Sequence, residues 1–237
     1  LFPDGRDLST QLSNFVWGSK YANNPDLTKI GIQEEKYDFL LEVINNLEEV
    51  EKIFISPSHL SIVQILKEDN PVEIYNIDEH HDLFPYEDRE DCGNWGSFGI
   101  EKGYIKEMTW IKNSDSDLGN AEHIEKINIT EDIEIIKEID FDIVFLCRSE
   151  NWSLPHLDEQ FIFLMQRLLF KSDNVLTPTG RLLTNRFDEE MQEHIDETRD
   201  VYKKAKEDME GEVEFVNLAN TDKTNSYNPL IEGLEED

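Results

Sequence analysis

Short apolar runs that stop abruptly at polar residues, set between segments of helical period, constrain this chain more than any other feature. KIFIS ends in Pro57-Ser58-His59, VEIYNI ends at Asp78, and IVFLC ends in Arg148-Ser149-Glu150. Around them, EEKYDFLLEVINNLEEV (34–50) repeats apolar residues at Tyr37, Leu40, Leu41, Ile44 and Leu47, the three-and-four spacing of a helix with one buried face. HLSIVQILKED and PHLDEQFIFLMQRLLF carry the same period, and TEDIEIIKEI begins with a Thr suited to capping a helix and acids suited to its first turn. Strands alternating with helices imply parallel pairing through crossover helices. The expected fold is therefore α/β, a three-layer sandwich with a mainly parallel sheet, occupying residues 1–187. Residues 188–237 read as an acidic, helical and peripheral extension in which VEFVNL keeps a strand-like composition and EGLEED frays.

In a sheet of this kind, sites gather in the crevice beyond the carboxyl ends of the strands. Three exits lie there: Ser56 to His59, Asp78 to Asp82, and Cys147 to Trp152. The second has the densest chemistry. In D-x-H-x-D, strand-like alternation puts Asp78, His80 and Asp82 on one side, where they can converge. Two carboxylates and an imidazole suit manganese, iron or zinc, and the carboxylates favour manganese or magnesium. Charges that follow a buried strand also need a reason to be there, because an uncompensated buried carboxylate costs several kcal/mol.

The third exit crowds Arg148, Glu150, Asn151, Trp152 and His156 together. One reading makes Arg148 and Trp152 a substrate-binding rim, with Glu150 or His156 handling a proton as catalytic groups. The other has Pro155 and His156 starting a helix, Trp152 packing on the sheet, and Arg148 paired to a carboxylate. Cys147 is not expected to be a nucleophile, since its apolar neighbours raise its pKa.

Charge limits the partners. The 237 residues carry 22 Lys+Arg against 53 Asp+Glu, a formal net charge of -31. That disfavours nucleic-acid phosphates and anionic membrane surfaces, steers cationic small molecules or peptides inward, and also serves solubility. Two cysteines, Cys92 and Cys147, form no CxxC pair, which fits a reducing, cytoplasmic setting. No apolar stretch approaches the ~20 residues that span a bilayer, and no charged-then-apolar leader is present. The exact substrate and the oligomeric state are not written in the sequence.

IYNIDEHHDLF resembles the D-A-H-x-D motif of the arginase-like ureohydrolases, with Glu79 at the Ala position. PSHLS is similar to the superfamily's G-D-H-S motif, with Ser58 in place of the Asp and His59 as the lone His. DCGNWGSFGI resembles an Asn-Trp element of a branch that includes peptide arginases, which assigns Asn94 and Trp95 to the substrate side. The likeness spans Phe54 to Glu159. It implies an arginase-like fold and one or two Mn²⁺ ions held by His59, Asp78, His80 and Asp82. It also implies hydrolysis of a guanidino group, free or peptidyl arginine giving ornithine and urea.

The superfamily's second ion is normally bridged by a D-x-D pair. Asp140 and Asp142 have that spelling but precede their strand. That leaves Glu150, or acids preceding the initial Leu1-Phe2, which look like the end of a D-x-D-[apolar]-F motif. Two other readings stand beside this one: a zinc-dependent deacetylase-like amidohydrolase, which wants a His dyad and a Tyr near its ion, and a non-enzymatic acidic decoy or interaction protein.

Overall fold

A computed structural model describes residues 10–86, 89–177 and 185–208. In chain order its regular elements are α1 (Thr10–Asn23), α2 (Glu34–Asn46), β1 (Lys52–Ser56), α3 (Ile62–Glu68), β2 (Val72–Ile77), α4 (Trp95–Glu101), β3 (Ile105–Ile111), β4 (Asn128–Thr130), β5 (Ile143–Cys147), α5 (Asp158–Leu168), β6 (Val175–Leu176) and α6 (Glu189–Asp208). The chain is α/β. Its strands form two three-stranded sheets, ordered β5-β1-β6 and β2-β3-β4, and every pairing in them is parallel.

β1 accounts for much of this arrangement. Successive strand residues face opposite ways, and here both faces are covered. Ile53 and Ile55 pack with Ile44, Val50, Met165 and Leu168, so α2 and α5 cover one face. Phe54 points the other way into Leu66, Trp95, Phe98 and Met108, against α3 and α4. That second cluster also takes in Ile74 of β2 and Phe145 of β5, which joins the two sheets through one core. Burying each such side chain contributes ~1.5–3 kcal/mol, so a polar substitution in β1 would be felt on both faces.

Two elements end sooner than periodicity predicts. α2 stops at Asn46 because the Lys171 ammonium donates to the Asn45 and Leu47 carbonyls at 2.7 Å each, taking up groups that further turns would have used. The expected helix in TEDIEIIKEI shrinks to one 3-10 turn, Ile133–Ile136. There the Thr130 hydroxyl accepts from the Asp132 N–H and the Asp132 carboxylate from the Glu134 N–H, and these local bonds replace helical ones.

α6 is helical as expected but not peripheral: Met191 and Ile195 are buried against Trp17, Tyr21 and Ala22 of α1. VEFVNL and EGLEED, like Leu1-Phe2, lie outside the described residues. Among the described residues no helix is long and apolar enough to cross a membrane.

Candidate metal centre

Register sets the exits of β1 and β5 side by side, and a contact between His59 and Asp78 brings the exit of β2 to them. Ser56 at the end of β1 pairs with Cys147 at the end of β5, and Ile77 at the end of β2 pairs with Ile111 at the end of β3. Beyond β1 the segment SPSHLS is fixed by its serines. The Ser58 N–H donates to the Ser56 hydroxyl at 3.1 Å, and the Ser58 hydroxyl accepts from the Leu60 N–H at 3.1 Å. That turn aims the His59 ring across the edge. Beyond β2, the Trp110 indole donates to the Asp78 carbonyl at 3.0 Å, and the Asp78 carboxylate accepts from the His80 N–H at 3.2 Å.

Asp82 is held by different means. Its backbone is left-handed, with φ of 54°, a conformation Asp tolerates better than most residues but still at some cost. Its carbonyl accepts from the Gly96 N–H at 2.9 Å. A Cβ at Gly96 would lie 2.8 Å from that carbonyl oxygen and 2.9 Å from a Leu83 methyl, so only glycine permits this approach. The neighbouring Trp95 indole donates to Asp82 Oδ2 at 2.7 Å and fixes the carboxylate.

His59 Nδ1 lies 3.0 Å from Asp78 Oδ2 and 3.2 Å from Asp82 Oδ2. Ligand atoms ~2.0–2.3 Å from a common ion stand ~3 Å apart in octahedral geometry and slightly farther in tetrahedral geometry, so these spacings suit one cation. The donor set fits as well. Asp78 Oδ2 is buried and makes no well-angled hydrogen bond, despite its closeness to the His59 ring. A cation in the triangle would satisfy that oxygen.

Without a cation the same groups share protons. Burial works against an imidazolium at His59, but the Asp78 and Asp82 carboxylates outweigh it and hold its pKa far above the ordinary value. Burial also opposes ionisation of Asp78, but His59 and His80 bring its pKa below the usual range. For Asp82, burial and the Asp78 charge push the pKa up to about 6 against the pull of His59 and Trp95. The three side chains thus hold an excess of negative charge around one proton, and a divalent ion is the natural replacement for it.

Of the four expected ligands, His59, Asp78 and Asp82 come together and His80 does not. The left-handed turn at Asp82 breaks the alternation that the D-x-H-x-D argument relied upon. The His80 Nδ1 lies 4.0 Å from Asp78 Oδ1, with its side chain 44% exposed. Its ring sits 5.7 Å from that of Trp152, itself 48% exposed, so these two form an aromatic lip beside the centre.

The remaining assignments divide between the centre and the scaffold. Trp95 belongs to the centre, as the donor that orients Asp82 rather than as a substrate contact. Asn94 holds its loop: its side-chain oxygen accepts from the Asp91 N–H and its amide donates to the Arg89 carbonyl. Arg148 and Glu150 form a buried ion pair, and Arg148 also faces Asp158 at 3.5 Å. Arg186 completes this network, bound to Asp158 at 2.7 Å and donating to the Glu150 carbonyl at 2.7 Å. His156 has both ring nitrogens engaged, with the Tyr21 hydroxyl at 2.6 Å and the Ile30 carbonyl at 2.8 Å. Glu150 and His156 therefore serve the fold in this arrangement, and neither is presented to the crevice for proton transfer.

Asp140 and Asp142 precede β5, at the edge opposite the centre. Sequence reasoning passed over Trp110, which anchors the Asp78 backbone. It also passed over the Cys147 thiol as a neighbour of His59; burial raises its pKa. No protein family, characterised protein or solved structure was found to match this chain.

Proposed function

We propose that the chain is a metal-dependent hydrolase of the arginase-like kind, acting on a guanidino group to give urea and, from an arginine, ornithine. The observation that supports this most is the convergence of His59, Asp78 and Asp82 beyond the ends of parallel strands, with the Asp78 oxygen buried and lacking a well-angled hydrogen bond. Residues 59, 78 and 82 would hold the ion, Mn²⁺ first and zinc as the alternative. When bound, a divalent cation supplies Lewis-acid activation of water near neutral pH.

The chain's own groups do the rest. Trp95 keeps Asp82 in place, and His59 gives up its proton to become a ligand through Nδ1. The exposed Trp152 ring offers a face to a guanidinium. His80, half exposed at the same lip, is the group placed to move a proton there. The strongly negative surface draws a cationic substrate. A cytoplasmic setting is part of the same proposal; Cys92 and Cys147 form no disulfide with each other.

A zinc deacetylase-like amidohydrolase shares the one-His, two-Asp ligand set. Its His dyad finds little support here, because His81 is buried and its Nδ1 accepts from the Leu83 N–H at 2.8 Å. The deciding assay is urea release from L-arginine and from arginine peptides by protein loaded with Mn²⁺. Urea formation that vanishes in Asp82→Asn supports the hydrolase. Deacetylation of an acetyl-lysine peptide with zinc, and no urea from any guanidine, would transfer the chain to the second reading.

A further inference from the structure

The two parallel sheets have the geometry of one sheet interrupted in the middle. β5 pairs on one edge with β1, and β2 on one edge with β3; among the described residues neither has a strand on its other edge. Those free edges face each other. The Tyr75 ring of β2 lies 6.0 Å from that of Phe141, just before β5, and the His80 ring just after β2 lies 5.7 Å from that of Trp152, just after β5. Helices bridge the gap on both sides. Val43 of α2 shares a cluster with Tyr75 while its neighbour Ile44 shares one with Val144 and Leu146, and the cluster beneath α3 and α4 takes in both Ile74 and Phe145.

A slot between parallel strands, covered by helices on both faces, leaves main-chain donors and acceptors without a ladder, which is costly. Exposure marks the slot. All of β1 after Lys52 is buried, whereas no residue of β5 or β2 is, although IVFLC is as apolar as KIFIS. Asn76 of β2 shares the α3 and α4 face with Ile74 by strand alternation, and its amide nitrogen is buried with no hydrogen-bond partner among the described residues. An acceptor is missing beside it.

The sequence holds a close match to β2. VEFVNL (213–218), joined to α6 by MEGE, follows VEIYNI position for position: Val, Glu, an apolar or aromatic pair, Asn and a final aliphatic residue. We infer that residues 213–218 form a strand in the slot between β5 and β2, parallel to both and in register with β2. Phe215 would then stand beside Ile74 and Phe145 in the core under α3 and α4, with Val216 and Leu218 beside Tyr75 and Ile77. The Asn217 side-chain oxygen would accept from Asn76, as like amides do across neighbouring strands. Glu214 would fall beside Glu73, which is exposed, already has Glu107 as a register partner and lies 3.8 Å from Lys106. The carboxyl end of the strand would open between Asp78 and Cys147, so the tail would wall the metal centre whatever reaction occurs there.

The test is amide hydrogen exchange of the full chain, read by mass spectrometry. The amides of β5 and β2 should exchange as slowly as those of β1. Phe215→Asp puts a charge into the core and should speed exchange in β5 and β2 about tenfold or more, leaving β3 and β4 unmoved. Ile231→Asp, the same kind of change elsewhere in the tail, should move nothing. Asn217→Ala should act in the same direction as Phe215→Asp but more weakly, and adding Asn76→Ala to it should bring no further change, because the two amides form one contact. Fast exchange of both strands in the wild type, no response to Phe215→Asp, or an equal response to Ile231→Asp overturns the assignment. Protection of the two strands that rises with protein concentration would give the slot to a second chain and overturns it likewise.

Discussion

Asp82→Asn is the most informative substitution, because it should stabilise the metal-free protein while abolishing its response to metal. Burial and the Asp78 charge raise the Asp82 carboxyl from 3.8 to about 6, and that net shift already includes the attraction of His59. At 1.36 kcal/mol per pH unit, keeping Asp82 ionised at pH 7 costs the metal-free fold about 3 kcal/mol. The folded pKa lies above the unfolded one, so the favourable contribution is complete below about pH 4 and is lost as pH rises through about 6.

Asparagine keeps the shape and still accepts from the Trp95 indole, but carries no charge. In chelator at pH 7, thermal unfolding of Asp82→Asn should therefore occur about 6–12 °C above wild type, at ~2–4 °C per kcal/mol for a chain of this size. Mn²⁺ at about one hundred times its dissociation constant should add ~2.7 kcal/mol to wild type and almost nothing to the variant. Asp78→Asn should go the other way and destabilise the metal-free protein, since His59 and His80 hold the Asp78 pKa down and its charge is therefore stabilising. Should Asp82→Asn melt below wild type in chelator, the carboxylate is a structural hydrogen-bonding group, and the excess-charge argument fails.

Three further outcomes follow from the same geometry. At pH 7, Mn²⁺ binding should release about one proton, from a His59 whose pKa the two carboxylates hold high, and affinity should strengthen with rising pH; calorimetry in buffers of different ionisation enthalpy reads this, and no proton release would mean that His59 is not a ligand. Trp95→Phe keeps the packing but removes the indole donor to Asp82 Oδ2, so the Mn²⁺ dissociation constant should rise about 10–100-fold; an unchanged constant would show that Asp82 needs no such support. Glu150→Gln leaves buried Arg148 short of a charge partner and should cost ~3–5 kcal/mol in denaturant unfolding, with Mn²⁺ affinity unmoved in the folded protein; weakened metal binding at full stability would return Glu150 to the centre.

The strands and their exits were legible because KIFIS, VEIYNI and IVFLC are apolar runs with sharp polar ends, a pattern set by local composition. Asp78 and Asp82 were legible for the same reason. His80 was misplaced because the reading carried strand alternation past Ile77, and nothing local announces the left-handed backbone at Asp82. His156 looked catalytic because its partner is distant, Tyr21 lying 135 residues before it. Glu150 looked catalytic although its carboxylate pairs with Arg148 only two residues away, because composition does not say whether such a neighbouring pair is buried or faces a crevice. The hydrogen bond from Lys36 to Asn113 spans 77 residues of sequence, and no periodicity reports such a meeting. α1 escaped notice because TQLSNFVWGSKYAN has no clear apolar stripe; it is helical through packing of Trp17 and Tyr21 against α6, a tertiary cause.

Whether His59, Asp78 and Asp82 hold an ion is decided by the metal content of the wild-type protein and of Asp82→Asn, both purified without chelator and read by elemental analysis. The wild type should carry at least about one equivalent of manganese or zinc per chain, and Asp82→Asn close to none. A wild type free of metal after exposure to both ions, or equal content in the two proteins, would contradict it.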